Sequence, residues 1–248
     1  MAVVRKHVAF RLGVNMNIGE RLETIGKLVP QGSTLADIGT DHAYLPVWLL
    51  EQGRIASAIA GDIAAGPCRA ARSTVTMHSL QDKVQVRMGS GLAVLKAGEA
   101  DCIAIAGMGG STIISILEAD MDLAVAAKTL VLQPMAGAAG LRQWLVEHGW
   151  RVLDEELVDD PPHFYEIICA VRGEDAAYSP AEYAVGPVLL RKGHKLLGKQ
   201  LERQISGCRQ LLTNMERSER AKASTKYQET QALLAALEVL ERENTSNC

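Results

Sequence analysis

Between Gly19 and Arg172 the sequence alternates short apolar runs with stretches of helical period, a pattern that admits little besides a parallel sheet with helices packed on it. Strand-like runs fall at 33–38, 55–62, 84–87, 101–106 and 128–133, each ending at a polar or glycine turn. Helix-like segments lie between them at 43–52, 66–78, 111–117 and 138–148, the last closed by Gly149. The turns after the strands all come to the carboxyl edge of such a sheet, where open α/β folds bind ligands. The alternation then breaks. Residues 150–158 and 164–171 are strand-like and are joined through Asp-Asp-Pro-Pro-His with no helix, which reads as a β-hairpin.

Five parallel strands closed by a terminal β-hairpin is the Rossmann-like plan of class I methyltransferases, in which the last strand enters antiparallel beside the fifth. A dinucleotide-binding dehydrogenase instead adds a sixth parallel strand after a crossover. The expected fold class is therefore α/β, with a methyltransferase-type domain over residues 1–172, of which 1–19 form an N-terminal extension. A polar, proline-containing stretch follows Gly173, and helical patterning takes over from about Arg191. Leu201, Ile205, Cys208, Leu212 and Met215 recur at four- and three-residue steps, as do Leu233, Leu237 and Leu240 beyond a polar turn at 217–224. Residues 173–248 thus form a second unit, an antiparallel helical hairpin or coiled coil.

With 248 residues, 48% of them hydrophobic, the chain builds a sizeable core, which excludes a disordered chain or a bare peptide-binding module. No run reaches the roughly 18 to 20 apolar residues of a spanning helix, and no leader pattern opens the chain, so a cytoplasmic protein is expected. Cys68, Cys102, Cys169, Cys208 and Cys248 are odd in number and lack CxxC spacing, so reduced thiols are expected. The six histidines show neither HxH nor HExxH spacing, and no metal site is expected.

The most informative stretch is Asp37-Ile38-Gly39-Thr40-Asp41-His42-Ala43-Tyr44-Leu45-Pro46, placed directly after the first strand. A pyrophosphate cradle wants G-x-G-x-x-G there. This loop has one glycine and puts Asp41 where the second would stand, which disfavours NAD. Asp37 and Asp41 suit instead the ammonium of S-adenosylmethionine, whose methionine end is zwitterionic. An Asp N-cap accounts for one of these acids and not for both. Asp62, followed by Ile63, ends the second strand where an acid accepts the hydroxyls of a ribose. Gly89, Ser90 and Gly91 follow the third strand and can frame an adenine edge. Ala106-Gly107-Met108-Gly109-Gly110 after the fourth strand lets backbone approach a ligand closely. Gln133 and Pro134 end the fifth strand, and Tyr165 on the hairpin can stack on a base.

Together these residues resemble the bacterial tRNA (adenine-22-N1)-methyltransferases. The resemblance runs from about Arg21 to the C-terminus through DIGTDHAYLP (37–46), AGD (60–62) with Gly66-Pro67, RMGSGL (87–92), AGMGG (106–110), LQP (132–134) with Leu141-Arg142 and Trp144-Leu145, Tyr165-Glu166-Ile167 and Gly186-Pro187. Ser90 and Met135 depart from it, standing where Asn or Asp, and Asn, are usual. The resemblance implies S-adenosylmethionine as cofactor, tRNA as partner and methylation of adenine N1. The cofactor would lie against Asp37, Gly39, Thr40, Asp41, Asp62, Ile63, Gly89, Ser90, Gly91, Ala106, Gly107 and Met108. Gly109, Gln133, Pro134 and Tyr165 would face the substrate, and Asp41, His42 and Tyr44 are the catalytic candidates. Adenine N1 keeps an in-plane lone pair, so no strong general base is required. Asp41 is the nearest carboxylate to offset the cationic product. N1 lies on the Watson–Crick edge, so the target base must be unpaired or extruded, with Tyr44, His42 or Tyr165 to hold it.

Net charge is −3, yet residues 191–227 carry ten bases against three acids, +7, whereas residues 1–172 sum to −4. Arg191, Lys192, Lys195, Lys199, Arg203 and Arg209 are the expected phosphate contacts. Coiled-coil pairing or packing is the rival role for that hairpin, and the chain is expected to be a monomer or weak homodimer. Competing readings of function are a methyltransferase of small molecules and a non-catalytic RNA-binding or scaffold protein. An NAD oxidoreductase ranks last, for lack of the glycine pattern.

Overall fold

The computed structural model describes residues 16–246. Of the N-terminal extension, Arg5, Lys6 and Arg11 therefore lie outside the described residues, as does Cys248. The chain begins with α1 (Gly19–Leu28) and then alternates β1 (Thr34–Ile38), α2 (Tyr44–Glu51), β2 (Ser57–Asp62), α3 (Ala65–Met77) and β3 (Val84–Met88). A 3-10 turn (Gly91–Val94) leads to β4 (Cys102–Met108), α4 (Gly110–Ala119), α5 (Met121–Ala126), β5 (Thr129–Pro134) and α6 (Ala138–Glu147). The hairpin β6 (Trp150–Asp160) and β7 (His163–Arg172) follows. The sheet has seven strands in the order β3-β2-β1-β4-β5-β7-β6. The first five are parallel, and β7 pairs antiparallel with both β5 and β6. The last strand thus enters beside the fifth, as the sequence leads one to expect, and the sheet reverses its winding between β1 and β4.

Alternating side chains cover the two faces. Ala36, Ile38, Ile103, Ile105, Leu130 and Leu132 face α4 and α6. Leu35, Ala58, Ala60, Ala104 and Val131 face α1, α2 and α3. Helix α1 has no counterpart in the sequence pattern, because Gly26 interrupts a run otherwise suited to a helix. That glycine is a packing requirement, since a Cβ there would lie 2.8 Å from the Trp48 ring.

The polar, proline-containing stretch after Gly173 holds two short helices, α7 (Pro180–Val185) and α8 (Pro187–Lys192), each opened by a proline at its first turn. Ser179 and Glu182 form a capping box on α7. Helices α9 (Leu197–Met215) and α11 (Thr225–Ser246) then pair, joined by the short α10 (Glu219–Lys222). Leu201, Ile205 and Leu237 pack between them, and the cluster continues to Leu157 of β6 and Phe164 of β7. The helical hairpin is therefore seated on the outer strand of the sheet.

Arg142 of α6 ties this junction. Its side chain and that of Glu155 are fully buried. Nε donates to Glu155 at 2.6 Å, Nη2 to Glu166 at 2.7 Å and Nη1 to the Tyr183 carbonyl at 2.9 Å. The other Glu155 oxygen accepts the Val188 N–H at 2.8 Å and so holds the start of α8. Burial works against the Arg142 cation, but the Glu155 and Glu166 charges more than offset it and hold its pKa above the ordinary arginine value. Arg142→Met strands two carboxylates and is expected to cost about 3–5 kcal/mol in urea unfolding. Arg87→Met, at the quarter-exposed Arg87–Glu99 pair, is expected to cost only about 1 kcal/mol.

Candidate active site

The loop after β1 is shaped by backbone and by one side chain. Gly39 and Thr40 both donate to the Gly61 carbonyl, at 2.8 and 3.0 Å, which draws the loop against β2. Gly39 has φ +78, and the Met108 methyl occupies the space its Cβ would need. The β1 and β4 loops therefore touch across the point where the winding reverses. The Thr40 hydroxyl accepts the Ala43 N–H at 3.1 Å, and Ala43 sits at φ 55, so the chain turns sharply into α2.

Asp37, Asp41, His42 and Tyr44 are brought to this edge but differ in setting. Asp37 is 8% exposed. Burial pushes its carboxyl up to about 6, against the pull of its hydrogen bond with Thr40 and of the Arg21 charge, while Asp62 adds to the rise. Asp41 is three-quarters exposed, with His42 Nε2 at 3.3 Å. His42 stacks on Tyr44, ring centroids 5.0 Å apart and planes within 10°. The two acids read as a pair thus divide into one buried and one solvated carboxylate.

Asp62 uses one carboxylate oxygen on the Ala64 N–H at 2.7 Å, and Ile63 beside it is exposed. After β3, the Arg87 guanidinium holds the Val94 carbonyl and Glu99, which sets the Gly89-Ser90-Gly91 loop. Gly109 and Gly110 lead into α4. A Cβ on Gly110 would meet the Gly137 carbonyl at 2.6 Å, so the β4 and β5 loops are in backbone contact. Met135 N–H to the Met108 carbonyl, 2.7 Å, fixes them further. Gly107 is exposed at the edge, and Ala106 and Met108 are half-buried.

Gln133 and Pro134 are buried, and the surface at the end of β5 belongs to half-exposed Met135. The Gln133 side-chain oxygen Oε1 accepts from both the Gly107 N–H (3.1 Å) and Arg21 Nη1 (2.9 Å). Arg21 also stands over the Tyr165 ring, 5.4 Å from its centroid. Sequence reasoning missed Arg21 as a site residue. Its partners lie more than a hundred positions away, and no local pattern marks it.

The chain is similar to known proteins along most of its length. Residues 18–168 match the family described as Methyltransferase domain. A tRNA (adenine(22)-N(1))-methyltransferase from Bacillus subtilis is 37% identical over 195 residues, 77% of this chain and 82% of that protein. The chain belongs to the tRNA (adenine(22)-N(1))-methyltransferase family. Among solved members, the Bacillus subtilis m1A22 tRNA methyltransferase TrmK has a TM-score of 0.82 at 32% identity, over 91% of this chain and 99% of that one. Streptococcus pneumoniae Sp1610 in complex with S-adenosyl-L-methionine gives 0.79 at 32%, over 91% and 100%. TrmK of M. capricolum in complex with S-adenosyl-homocysteine gives 0.77 at 25%, over 91% and 98%. The Rossmann-like methyltransferase fold and the C-terminal helices expected from the sequence are those of this tRNA methyltransferase family.

The six bases expected to face phosphate do not share one setting. Lys192 of α8 pairs with Asp154 (2.9 Å) and Glu156 (2.6 Å), Lys199 with Asp159, and Arg209 with Glu238 (2.7 Å). Arg191 reaches the Tyr178 hydroxyl at 3.4 Å. Arg203 lies over the Phe164 ring, 4.7 Å from its centroid. Lys195 is exposed and has no protein partner among the described residues. Among the described residues no group of three or more His, Cys, Asp or Glu is placed to hold a metal, and no helix is long and apolar enough to cross a membrane.

Because the folded pKa of Asp37 exceeds its ordinary value of 3.8, this group favours the fold most at low pH, and that contribution is lost as pH rises from about 4 through about 6. Asp37→Asn is therefore expected to gain stability on wild type across that interval, by on the order of 2–3 kcal/mol at pH 7. Urea titrations of both proteins at pH 4.5 and 7 measure the difference.

Proposed function

We propose that this protein transfers a methyl group from S-adenosyl-L-methionine to N1 of the adenine at position 22 of tRNA. The observation that carries the reading is the carboxyl edge at which the loops after β1 and β4 meet, with buried Asp37 near the end of β1 and solvent-reached Asp41, His42 and Tyr44 following it, in a chain of this family. The residues fit the cofactor. Gly39 holds φ +78, the second Asp62 oxygen is not engaged by protein among the described residues, and Ile63 and Met88 expose apolar side chains beside it. Asp37 would take the ammonium, Asp62 the ribose hydroxyls, and the Gly89-Ser90-Gly91 loop the adenine edge, with Thr40, Ala106, Gly107 and Met108 closing the cleft.

S-adenosyl-L-methionine supplies the electrophilic methyl when bound. The target N1 has a lone pair in the ring plane and loses no proton as its bond to carbon forms, so no side chain has to act as a strong base. The protein's task is orientation. The stacked His42 and Tyr44 rings offer a platform for an extruded base, and Met135 just after β5 and Tyr165 near the start of antiparallel β7 come to the same edge of the sheet. Asp41 stands beside them as the solvated carboxylate that offsets the charge gained by 1-methyladenine. The helical hairpin would hold the remainder of the tRNA through the bases not already committed to carboxylates, with Lys195 and Arg203 foremost.

Incubation with radiolabelled S-adenosyl-L-methionine and unmodified tRNA, followed by digestion to nucleosides, is expected to place label in 1-methyladenosine and to lose it when adenosine 22 is replaced. Label in another nucleoside, or in small molecules alone, refutes the assignment. Asp41→Asn is expected to lower kcat roughly 10- to 100-fold with the fold intact. Lys195→Ala with Arg203→Ala is expected to weaken tRNA binding and flatten its dependence on log salt by up to about two. Lys192→Ala, which frees two carboxylates on β6, is expected to act mainly on stability. Filter binding between 50 and 200 mM salt separates the two effects.

A further inference from the structure

The β6–β7 hairpin outruns the strand it is built on. Residues 168–171 of β7 pair with β5, whereas 163–167 pair with β6 alone, out to Asp160 opposite His163. Carried on in register, Pro134 would stand opposite Glu166, so the two-stranded arm projects roughly 10 Å past the end of β5. It does so at the carboxyl edge, since β7 runs antiparallel to β5. The arm is held from behind. Phe164 packs against the cluster that contains Leu157, with Lys199 and Arg203 of α9 over its ring, and Lys199 pairs with Asp159. Tyr165, on the other face, lies under Arg21. Pro161 and Pro162 stiffen the turn, because each ring locks its own φ.

What the arm presents beyond that support is flat and unspent. Pro161, Pro162 and His163 are exposed. The His163 ring leans on Tyr165, centroids 5.7 Å apart and planes 35° from parallel, and neither of its nitrogens bonds protein among the described residues. The tip carries the Asp160 carboxylate and no lysine or arginine, so it is not built for phosphate. The cations stand back on α9, where a nucleic-acid backbone would run, while flat rings stand forward, where bases would. A platform for one extruded base, His42 on Tyr44, follows β1 at the same edge. It lies three strand spacings or roughly 14 Å away in the order β1-β4-β5-β7.

We propose that Pro161, Pro162 and His163 form a wedge that takes the place vacated by adenine 22, with the His163 ring stacked on a base next to it in the tRNA. This rests on the reading of function above and adds the element that holds the target out. Extrusion leaves the faces of the flanking bases without a stacking partner, and that loss opposes the extruded state. A rigid apolar tip inserted at the gap restores the contact and shifts the equilibrium towards a base lying at the platform. Stiffness is what makes this work, since a mobile loop would lose on ordering what it gained in stacking. The wedge acts on the shape of the substrate and leaves cofactor binding alone.

Native tRNA and tRNAs made abasic at position 21 or at position 23 separate stacking from other roles. His163→Ala is expected to lower kcat/KM on native tRNA roughly 10- to 100-fold, with calorimetric affinity for S-adenosyl-L-methionine unchanged within about twofold. On one of the abasic tRNAs, His163→Ala and wild type are expected to differ by less than about threefold, because the base on which the ring would stack is gone. His163→Phe, which keeps a flat ring, is expected to stay within about threefold of wild type on native tRNA. An equal loss on all three tRNAs overturns the proposal, as does no loss on native tRNA. So does a His163→Phe as slow as His163→Ala, which would give the imidazole nitrogens the role. Wild type alone supplies a measurement that does not depend on how the variants fold. A 4-thiouridine placed at position 21 or 23 is expected to photo-crosslink to the peptide containing 161–163, and crosslinks confined to other peptides overturn the proposal. A wild type that binds the cofactor but methylates no tRNA refutes the reading of function itself, and the wedge falls with it.

Discussion

A guanidinium sealed between a helix and a sheet edge has no water to receive it, so everything around Arg142 is arranged to supply what water would. Glu155 and Glu166 come from adjacent antiparallel strands, and the Tyr183 carbonyl from the end of α7. Glu155 in turn uses its second oxygen on the first turn of α8. Such a cluster contributes little net energy against a well-packed apolar replacement, but it has one geometry that satisfies all of its members. That geometry fixes the register of β6 against β7 and the angle at which the chain leaves α7. Gly186 belongs to the same constraint, since it takes φ +115 and a Cβ there would lie 3.0 Å from Glu155 and 3.1 Å from Arg142. The catalytic half and the helical hairpin are therefore joined by a polar lock and not by a flexible linker.

The consequence reaches the cleft through β7. Glu166 is bound to Arg142 on one side of the strand, and Tyr165, its neighbour, turns to the other side, where Arg21 stands over its ring. One residue further, Phe164 returns to the hairpin side and carries Lys199 and Arg203 over its ring. Three successive side chains thus connect the Arg142 cluster, α1 and α9.

Much of this was legible in the sequence, for reasons particular residues make plain. The strands announce themselves because an apolar run such as Leu130-Val131-Leu132 must be buried on both sides, and the hairpin because Pro161-Pro162 leaves no room for a crossover helix. The Asp37–Pro46 loop is contiguous, so its chemistry is written in consecutive letters. Helix α1 escaped notice because Gly26 answers to Trp48 and not to helix propensity. Helices α7 and α8 did because they are short and α8 takes its cap from a carboxylate thirty-odd residues upstream. Gln133 and Pro134, read as substrate-facing, point to opposite faces of a sheet covered on both, so both are buried and Met135 takes the surface at the end of β5. Arg21 is legible only once the fold brings α1 across β5 and β7.

The basic segment shows most clearly where sequence charge and physical charge part. A count of +7 over residues 191–227 suggests an unbroken attractive field. Folding sets Lys192 and Lys199 opposite Asp154, Glu156 and Asp159 of β6, and Arg209 opposite Glu238 of α11. Those pairs are exposed or half-buried and individually weak, and each cation so held has fewer counterions to release on meeting a phosphate. Among the described residues, Lys195 and the exposed Arg217, Arg220 and Lys226 around the far turn of the hairpin form no ion pair. Arg203 over Phe164 keeps its edges free near the cleft. The attractive field is thereby drawn to the two ends of α9, with a neutralised stretch between them.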